Sequence, residues 1–100
     1  MSNTNLKLSS LASRIRRDAL RLVQKHEKYC LCDLAAALGV PQPSMTKHMQ
    51  TLKTAGYVRA RKEGQRINFS ICENLEAKEL SLLEIVLTMP EEEEPQATNK

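Results

Sequence analysis

The chain has 100 residues, of which 41% are apolar and 27% are charged. This length and balance predict one globular domain, and no stretch approaches the roughly 20 apolar residues that a transmembrane helix needs. The three aromatic residues are too few to build the stacking platforms of proteins that bind single-stranded nucleic acid.

The charge is divided unevenly along the chain. Residues 1–72 carry thirteen lysines and arginines against four acidic residues, a net charge of +9. Residues 73–100 carry two lysines against eight glutamates, a net charge of −6. A basic body with an acidic end suggests a polyanionic partner for the body, and charge alone leaves a solvated basic surface equally open.

The N-terminal segment and the cysteines indicate the compartment. The segment MSNTNLKLSS has no apolar signal core, which predicts a cytoplasmic location and no membrane partner. Three cysteines without a secretion signal argue against a disulfide framework. An enzyme is not expected, because His26 and His48 lie far apart in the chain and three glycines are too few for a phosphate-binding loop.

The first half of the chain predicts four helices. Leu6, Leu8 and Leu11 predict a short first helix. Ser13 is expected to cap a second helix, whose buried stripe is Ile15, Ala19, Leu22 and Val23. A third helix over residues 33–38 is expected to end at Gly39, and Pro43 is expected to open a fourth that runs to about Ala55. The fourth helix would bury Met45, Met49 and Leu52.

The second half predicts a hairpin and a last helix. Residues 57–61 and 67–71 alternate in polarity around a loop over 62–66, which is typical of a hairpin with one wet face. The last helix, 75–89, has more apolar residues than one face holds, which favours a homodimer. We expect Leu80, Leu83 and Leu87 to face the core and Leu82, Ile85 and Val86 to face a second copy. Residues 1–89 then form the domain, and residues 90–100 form an acidic disordered tail.

Two short helices around a glycine-containing turn, followed by a basic hairpin, predict a mainly α-helical winged helix-turn-helix. The major groove of duplex DNA admits one helix, and extended cations at a hairpin tip can follow phosphates or enter the minor groove. A solvated polar surface is the alternative for each side chain taken singly. The predicted DNA-binding residues are Gln42, Ser44, Thr46, Lys47, His48, Gln50, Arg61, Lys62, Gln65 and Arg66.

Three segments resemble the ArsR/SmtB family of bacterial metal- and metalloid-responsive repressors. They are LASRIRRDALRLV, CLCDLAAALGVPQPSMTKHMQTLKTAGYV and RKEGQRINFSI, which lie within residues 11–71. The resemblance implies a dimeric repressor whose first and last helices form the dimer interface. It also implies two recognition helices in successive major grooves, and therefore an imperfectly palindromic operator.

Cys30 and Cys32 form a second candidate site, just before or within the first turn of the third helix. In an extended segment, residues i and i+2 share a face, so both sulfurs can converge on one soft ion. In a regular helix they point about 200° apart, so ion binding is expected to unwind the helix start. The alternative is that both are small buried hydrophobes.

The resemblance assigns this CxCD segment to the thiolate box of the arsenical-resistance repressors, where As(III) or Sb(III) releases DNA. Ala35 stands where those repressors usually have a third cysteine. Cys72 is a candidate third ligand, and a small molecule or Asp33 could complete the site instead. No other cofactor is required, and the family's interface zinc site is not expected because residues 75–89 contain neither His nor Asp.

Two other functions remain open at this point. The same fold could carry a redox or persulfide switch, in which Cys72 forms a disulfide with Cys30 or Cys32. Alternatively, the acidic tail and the apolar last helix could make the chain a protein-interaction module. That module would show no salt-sensitive binding to duplex DNA.

Overall fold

The computed structural model describes residues 3–91. Its elements, in chain order, are α1 (Asn3–Ser10), α2 (Arg14–His26), β1 (Tyr29–Cys30), α3 (Leu31–Leu38), α4 (Gln42–Thr54), β2 (Val58–Glu63), β3 (Arg66–Ile71) and α5 (Ala77–Thr88). This is the predicted winged helix-turn-helix. The predicted acidic tail lies outside the described residues from residue 92 onward. Within residues 3–91, no helix has both the length and the apolar character needed to cross a membrane.

The helix ends follow from capping residues. Ser13 caps α2, because its hydroxyl accepts a hydrogen bond of 3.3 Å from the backbone N–H of Arg16. Gly39 ends α3 in the left-handed conformation at φ 65°, which costs a residue without Cβ little. Both predicted caps are confirmed. The helix α3 begins two residues earlier than predicted, at Leu31, because Cys30 supplies the extended N-cap.

The three strands form one antiparallel sheet in the order β1-β3-β2. The hairpin of β2 and β3 pairs Val58 with Ile71 at its base and Glu63 with Arg66 at its tip. Its turn has only two residues, Gly64 and Gln65, whereas the sequence predicts a loop of five. Gly64 has φ 65° and is the first central residue, where two-residue hairpin turns of type II′ place glycine.

The core lies between the helices and the inner face of the sheet. Met45, Met49 and Leu52 of α4 are fully buried, as their helical spacing predicts. In α2 the buried residues are Ala19, Leu20 and Val23, while Ile15 and Leu22 are half-buried. The helix is therefore rotated slightly from its predicted orientation. Tyr57 and Val58 lead from α4 into the wing and are also buried.

The helix α5 buries Leu83 and Leu87 and leaves an apolar surface uncovered. Ile85 and Met89 are more than half exposed, and Leu82 and Val86 are half-buried. The prediction that Leu80 faces the core is wrong, because 43% of this residue is exposed. Helical spacing places Leu80 on the same side of α5 as Leu83 and Leu87, but Leu80 lies in the first turn of the helix and is not covered there.

Two arginines of α2 hold the C-terminal end of α5. The Nε of Arg21 donates a hydrogen bond of 2.9 Å to the backbone oxygen of Leu87. Arg17 donates two hydrogen bonds of 2.8 Å to the carboxylate oxygens of Glu91, and Arg21 Nη1 lies 2.8 Å from Glu91 Oε2. The hydrogen bonds from Arg17, with those from Arg21, outweigh partial burial and lower the pKa of Glu91 to about 2.

Candidate functional site

The side of α4 opposite its buried stripe is polar and exposed. Pro43 sits in its first turn, where a missing N–H costs nothing. The Thr46 hydroxyl donates a hydrogen bond of 2.9 Å to the Gln42 carbonyl, and the side-chain amide of Gln50 donates one of 3.4 Å to the Thr54 hydroxyl. The predicted DNA-binding residues of α4 that are exposed are Gln42, Ser44, Thr46, Lys47 and Gln50. Such a helix face can enter a major groove, because short polar side chains can reach base edges.

His48 differs from the other predicted residues of α4, because it is half-buried at the edge of the core stripe. Its Nδ1 lies 3.0 Å from Nη1 of Arg16 in α2. Burial, with the charge of Arg16, lowers the pKa of His48, so the ring is neutral at neutral pH. Sequence reasoning gave Arg16 no role, and no short-range signal links two residues that lie on separate helices.

The predicted wing residues Arg61, Lys62, Gln65 and Arg66 all lie exposed at or beside the hairpin turn. Arg61 and Lys62 make no ion pair within the part of the chain that the structure describes. The guanidinium of Arg66 lies 3.6 Å from the Asp33 carboxylate, with both side chains more than half exposed. The wing therefore presents cations that an anionic backbone could engage without breaking a buried contact.

Glu63 is the acidic residue of the hairpin. Asn68 Nδ2 donates a hydrogen bond of 2.7 Å to Glu63 Oε1, and Lys28 Nζ lies 3.2 Å from the same oxygen. The hydrogen bonds from Lys28 and Asn68 lower the pKa of Glu63. Its charge is thus compensated locally, which leaves the wing cations dominant at the turn.

Cys30 and Cys32 converge at the start of α3. Cys30 is the N-cap, with φ −80° and ψ 147°, and Cys32 lies in the first helical turn. Their sulfurs are 2.9 Å apart, and neither is in a disulfide. The expectation that the helix must unwind for convergence is wrong. The extended backbone at Cys30 turns its sulfur toward Cys32 while α3 stays intact.

The two thiols have unequal acidity. Burial raises the pKa of Cys30, but hydrogen bonds from the Cys32 thiol and from nearby backbone N–H groups outweigh it, so the net shift is downward. The charge of Arg66 acts in the same direction. The hydrogen bond to Cys30, followed by desolvation, raises the pKa of Cys32. Cys30 is therefore the more readily ionised of the two, and its thiolate would accept a hydrogen bond from the exposed Cys32 thiol.

Asp33 completes a group of three ligand atoms with these sulfurs, all within 4.8 Å of one another. We call Cys30, Cys32 and Asp33 the thiol site. Ala35, where the resembled repressors usually have a third cysteine, is buried on the inner side of α3.

Cys72, the candidate third ligand, is not brought to the thiol site. The sheet register pairs Cys30 with Asn68, so Cys72 lies four residues farther along the chain, or roughly 13 Å along an extended strand. Cys72 is half-buried, and its backbone N–H donates a hydrogen bond of 2.9 Å to the Tyr57 carbonyl. Asp33, weighed as an alternative ligand, is the residue that the fold places beside both sulfurs.

The chain is similar to several known transcriptional regulators. Residues 13–60 match the model of the family described as bacterial regulatory protein, arsR family. The arsenical resistance operon repressor of Escherichia coli (strain K12) is 28% identical over 67 residues, which is 67% of this chain and 57% of that protein. The chain spans about half to two thirds of the length of the curated relatives it matches.

Solved structures match over most of the chain. A homodimeric winged helix-turn-helix DNA-binding domain from Mycobacterium bovis is 25% identical with a TM-score of 0.72, covering 84% of this chain and 74% of that one. The AntR antimony-specific transcriptional repressor is 26% identical with a TM-score of 0.67, covering 84% and 73%.

Proposed function

We propose that the chain, whose residues 13–60 match the arsR family of bacterial regulatory proteins, is a dimeric DNA-binding repressor. A thiophilic ion bound at the thiol site would release it from its operator. One observation carries the proposal: two sulfurs 2.9 Å apart lie at the start of α3, the helix directly before α4.

The DNA-binding part rests on the exposed residues of α4 and the wing. Lys47 offers a phosphate contact, and Gln42, Ser44 and Thr46 offer hydrogen bonds to base edges near the start of the helix. Arg61, Lys62 and Arg66 supply the wing's phosphate contacts. We call these exposed residues, together with Gln50 and Gln65, the α4 and wing set.

The dimer rests on the uncovered apolar surface of α5. Ile85 and Met89 are exposed there and Leu82 and Val86 are half-buried, and burying such residues against a second copy is favourable at about 25 cal/mol per Å². The similarity to a homodimeric domain from Mycobacterium bovis supports a homodimer. A two-fold dimer places two copies of α4 one helical turn of DNA apart, so the operator is expected to be an imperfect palindrome.

The donor set determines which ions suit the thiol site. Thiolate sulfurs select soft ions, and a carboxylate oxygen is a harder ligand that zinc also accepts. The relatives named for arsenical resistance and for antimony favour As(III) or Sb(III) as the inducer. When As(OH)3 binds, each thiol replaces one hydroxide and its proton leaves in water. A metal cation such as Zn²⁺ would instead displace the thiol protons into solvent, so its binding would weaken at low pH.

Coupling between the sites rests on the packing of α3 against α4. An ion held by Cys30, Cys32 and Asp33 needs more room between the two sulfurs than 2.9 Å, so its binding would shift the first turn of α3, and with it the spacing of the two copies of α4. Coupling between two ligands is typically ~1–3 kcal/mol, or ~5–150-fold in affinity.

The test is a titration of arsenite, and separately antimonite, into the protein bound to a labelled duplex. The duplex is taken from directly upstream of the coding sequence, and anisotropy reports release. Cys30→Ser and Cys32→Ser should bind the duplex and lose the response. Cys72→Ser is the matched control and should respond fully. Release from the Cys30/Cys32 double variant would contradict the proposal.

A thiol redox switch is the second candidate, favoured by the same 2.9 Å separation. Two thiols would lose two protons and two electrons to a peroxide, forming a disulfide and two waters. The disulfide with Cys72 that the sequence suggested is disfavoured by the register. Release by peroxide without release by arsenite would favour this candidate, whereas absence of salt-sensitive duplex binding would favour a protein-interaction module.

A further inference from the structure

Arg16 joins three elements through one guanidinium group. Its Nε donates a hydrogen bond of 2.8 Å to the Ser10 carbonyl, and its Nη2 donates one of 3.4 Å to the Ser9 carbonyl, both at the end of α1. Its Nη1 lies 3.0 Å from His48 Nδ1 in α4. Arg16 is thus held by α1 on one side and contacts the predicted recognition helix on the other.

This contact determines which ring nitrogen of His48 carries the proton. A guanidinium is only a donor, so Nδ1 must be the acceptor. A neutral imidazole has a single N–H, which then lies on Nε2. A protonated ring would place two donors against each other, so the contact itself favours the neutral form.

The Nε2–H of His48 has solvent access. Among the described residues, Nε2 has no hydrogen-bond partner. No side-chain nitrogen or oxygen that lacks a partner is fully buried in this part of the chain. A polar atom of a half-buried residue with no partner must therefore reach solvent. His48 follows Lys47 and lies one helical turn after Ser44, at the border between the core stripe and the exposed face of α4.

We propose that Arg16 is a positioning residue for DNA binding, which fixes His48 as a neutral Nε2–H donor to a backbone phosphate oxygen beside α4. The inference rests on the proposed DNA-binding function and deepens it. A phosphate is the expected acceptor because it is the commonest protein contact on duplex DNA and lies at the flank of an inserted helix. The base edges are left to the outermost side chains of α4.

A neutral donor has a distinctive signature. It adds affinity without neutralising a phosphate, so its loss should leave the salt dependence of binding unchanged. Loss of a cationic contact instead lowers the slope of log K against log salt by about 0.9. This difference separates His48 from Lys47 in one set of titrations.

The experiment compares His48→Asn with wild type on the same upstream duplex at several salt concentrations. The Asn oxygen can take the place of Nδ1 and keep the bond from Arg16, but its amide does not reach the position of Nε2. Its thermal unfolding should match wild type, while affinity falls on the order of fivefold per contact with an unchanged slope.

Arg16→Lys keeps the positive charge and loses the fixed bond to His48. It should weaken binding in the wild-type background and have little effect in the His48→Asn background, because Arg16 acts through His48. In the free protein, ¹⁵N NMR of the ring should show a protonated Nε2 and an unprotonated Nδ1, and Arg16→Lys should mix the two tautomers.

The outcomes separate this inference from the function on which it rests. If wild type fails to bind duplex DNA, the proposed function is wrong. If wild type binds and His48→Asn binds equally well, or if the ring carries its proton on Nδ1, the role of Arg16 and His48 is wrong and the function stands. Equal loss from Arg16→Lys in both backgrounds would also overturn it.

Discussion

The thiol site and the α4 and wing set lie close in the chain but are built in opposite ways. The α4 and wing set is spread over α4, β2, β3 and the hairpin turn and consists of exposed side chains, so the loss of any one of them should remove only part of the affinity. The thiol site depends on two sulfurs 2.9 Å apart, one buried and one exposed. A distributed interface should lose affinity gradually under substitution, whereas a site of two sulfurs should lose its response with either one.

The largest effect is expected from separating the two copies of the α4 and wing set. Ile85→Glu places a charge on an α5 residue that is 59% exposed, so the monomer should fold while the dimer dissociates. Loss of the second half-site contact should weaken duplex binding by on the order of 100-fold. Analytical ultracentrifugation and anisotropy measure both effects.

The control for this variant is Ala77→Glu, which adds the same charge to an exposed residue on the polar side of α5. It should remain dimeric and bind the duplex like wild type. A dimeric Ile85→Glu protein would show that the apolar surface of α5 is not the interface.

The next effect sharpens the description of the thiol site. Asp33→Asn keeps the size of the side chain and removes the charged oxygen that lies beside both sulfurs. If Asp33 is the third ligand, the affinity of Asp33→Asn for arsenite should be about tenfold lower than that of wild type. The affinity of Cys72→Ser for arsenite should equal that of wild type. Calorimetry of both variants without DNA measures this. The reverse pattern would place Cys72 at the ion and contradict the observed register.

A smaller effect is expected from single residues of the α4 and wing set. Lys47→Ala and Arg66→Ala should each weaken duplex binding by about fivefold and lower the salt slope by about 0.9 per contact. Lys25→Ala, which removes an exposed lysine at the end of α2, is the matched control and should change neither quantity. Unchanged affinity and slope in both test variants would remove these residues from the DNA interface.

The smallest effect concerns stability, and it should leave both sites intact. The folded pKa of Glu91 is about 2, below its ordinary value of 4.5. A lowered carboxyl pKa stabilises the fold above the unfolded value, and that stabilisation is lost as the pH falls from about 4.5 to 2.

Glu91→Gln should therefore lower the free energy of unfolding by about 1 kcal/mol at neutral pH, and the difference from wild type should vanish near the acid end of that range. Thermal unfolding across pH measures it. Glu84→Gln, at an exposed α5 residue without an ion pair in the described part of the chain, is the control. A difference that is independent of pH would assign the effect to something other than the carboxylate charge.

The two regions also differ in how far the sequence predicts them. Met45, Met49 and Leu52 repeat with helical spacing, so the opposite face of α4 follows from the pattern alone. Caps at Ser13 and Gly39 are local as well, because each depends on neighbouring residues.

The thiol site depends on long-range geometry that periodicity does not contain. The register that pairs Cys30 with Asn68, and so separates Cys72, is set when β1 meets β3 across the folded core. The convergence of Cys30 and Cys32 depends on one extended residue at a helix start, which local patterns locate only to within a few residues. The contact of Arg16 with His48 joins separate helices and has no local signal.

The central claim is that the thiol site and the DNA interface are coupled. The most direct measurement is the affinity of the protein for arsenite, by calorimetry, with and without saturating upstream duplex. Linkage requires the duplex to weaken arsenite binding by the same factor as arsenite weakens duplex binding, and that factor should lie within ~5–150-fold. Arsenite affinity that is the same with and without bound duplex would contradict the account.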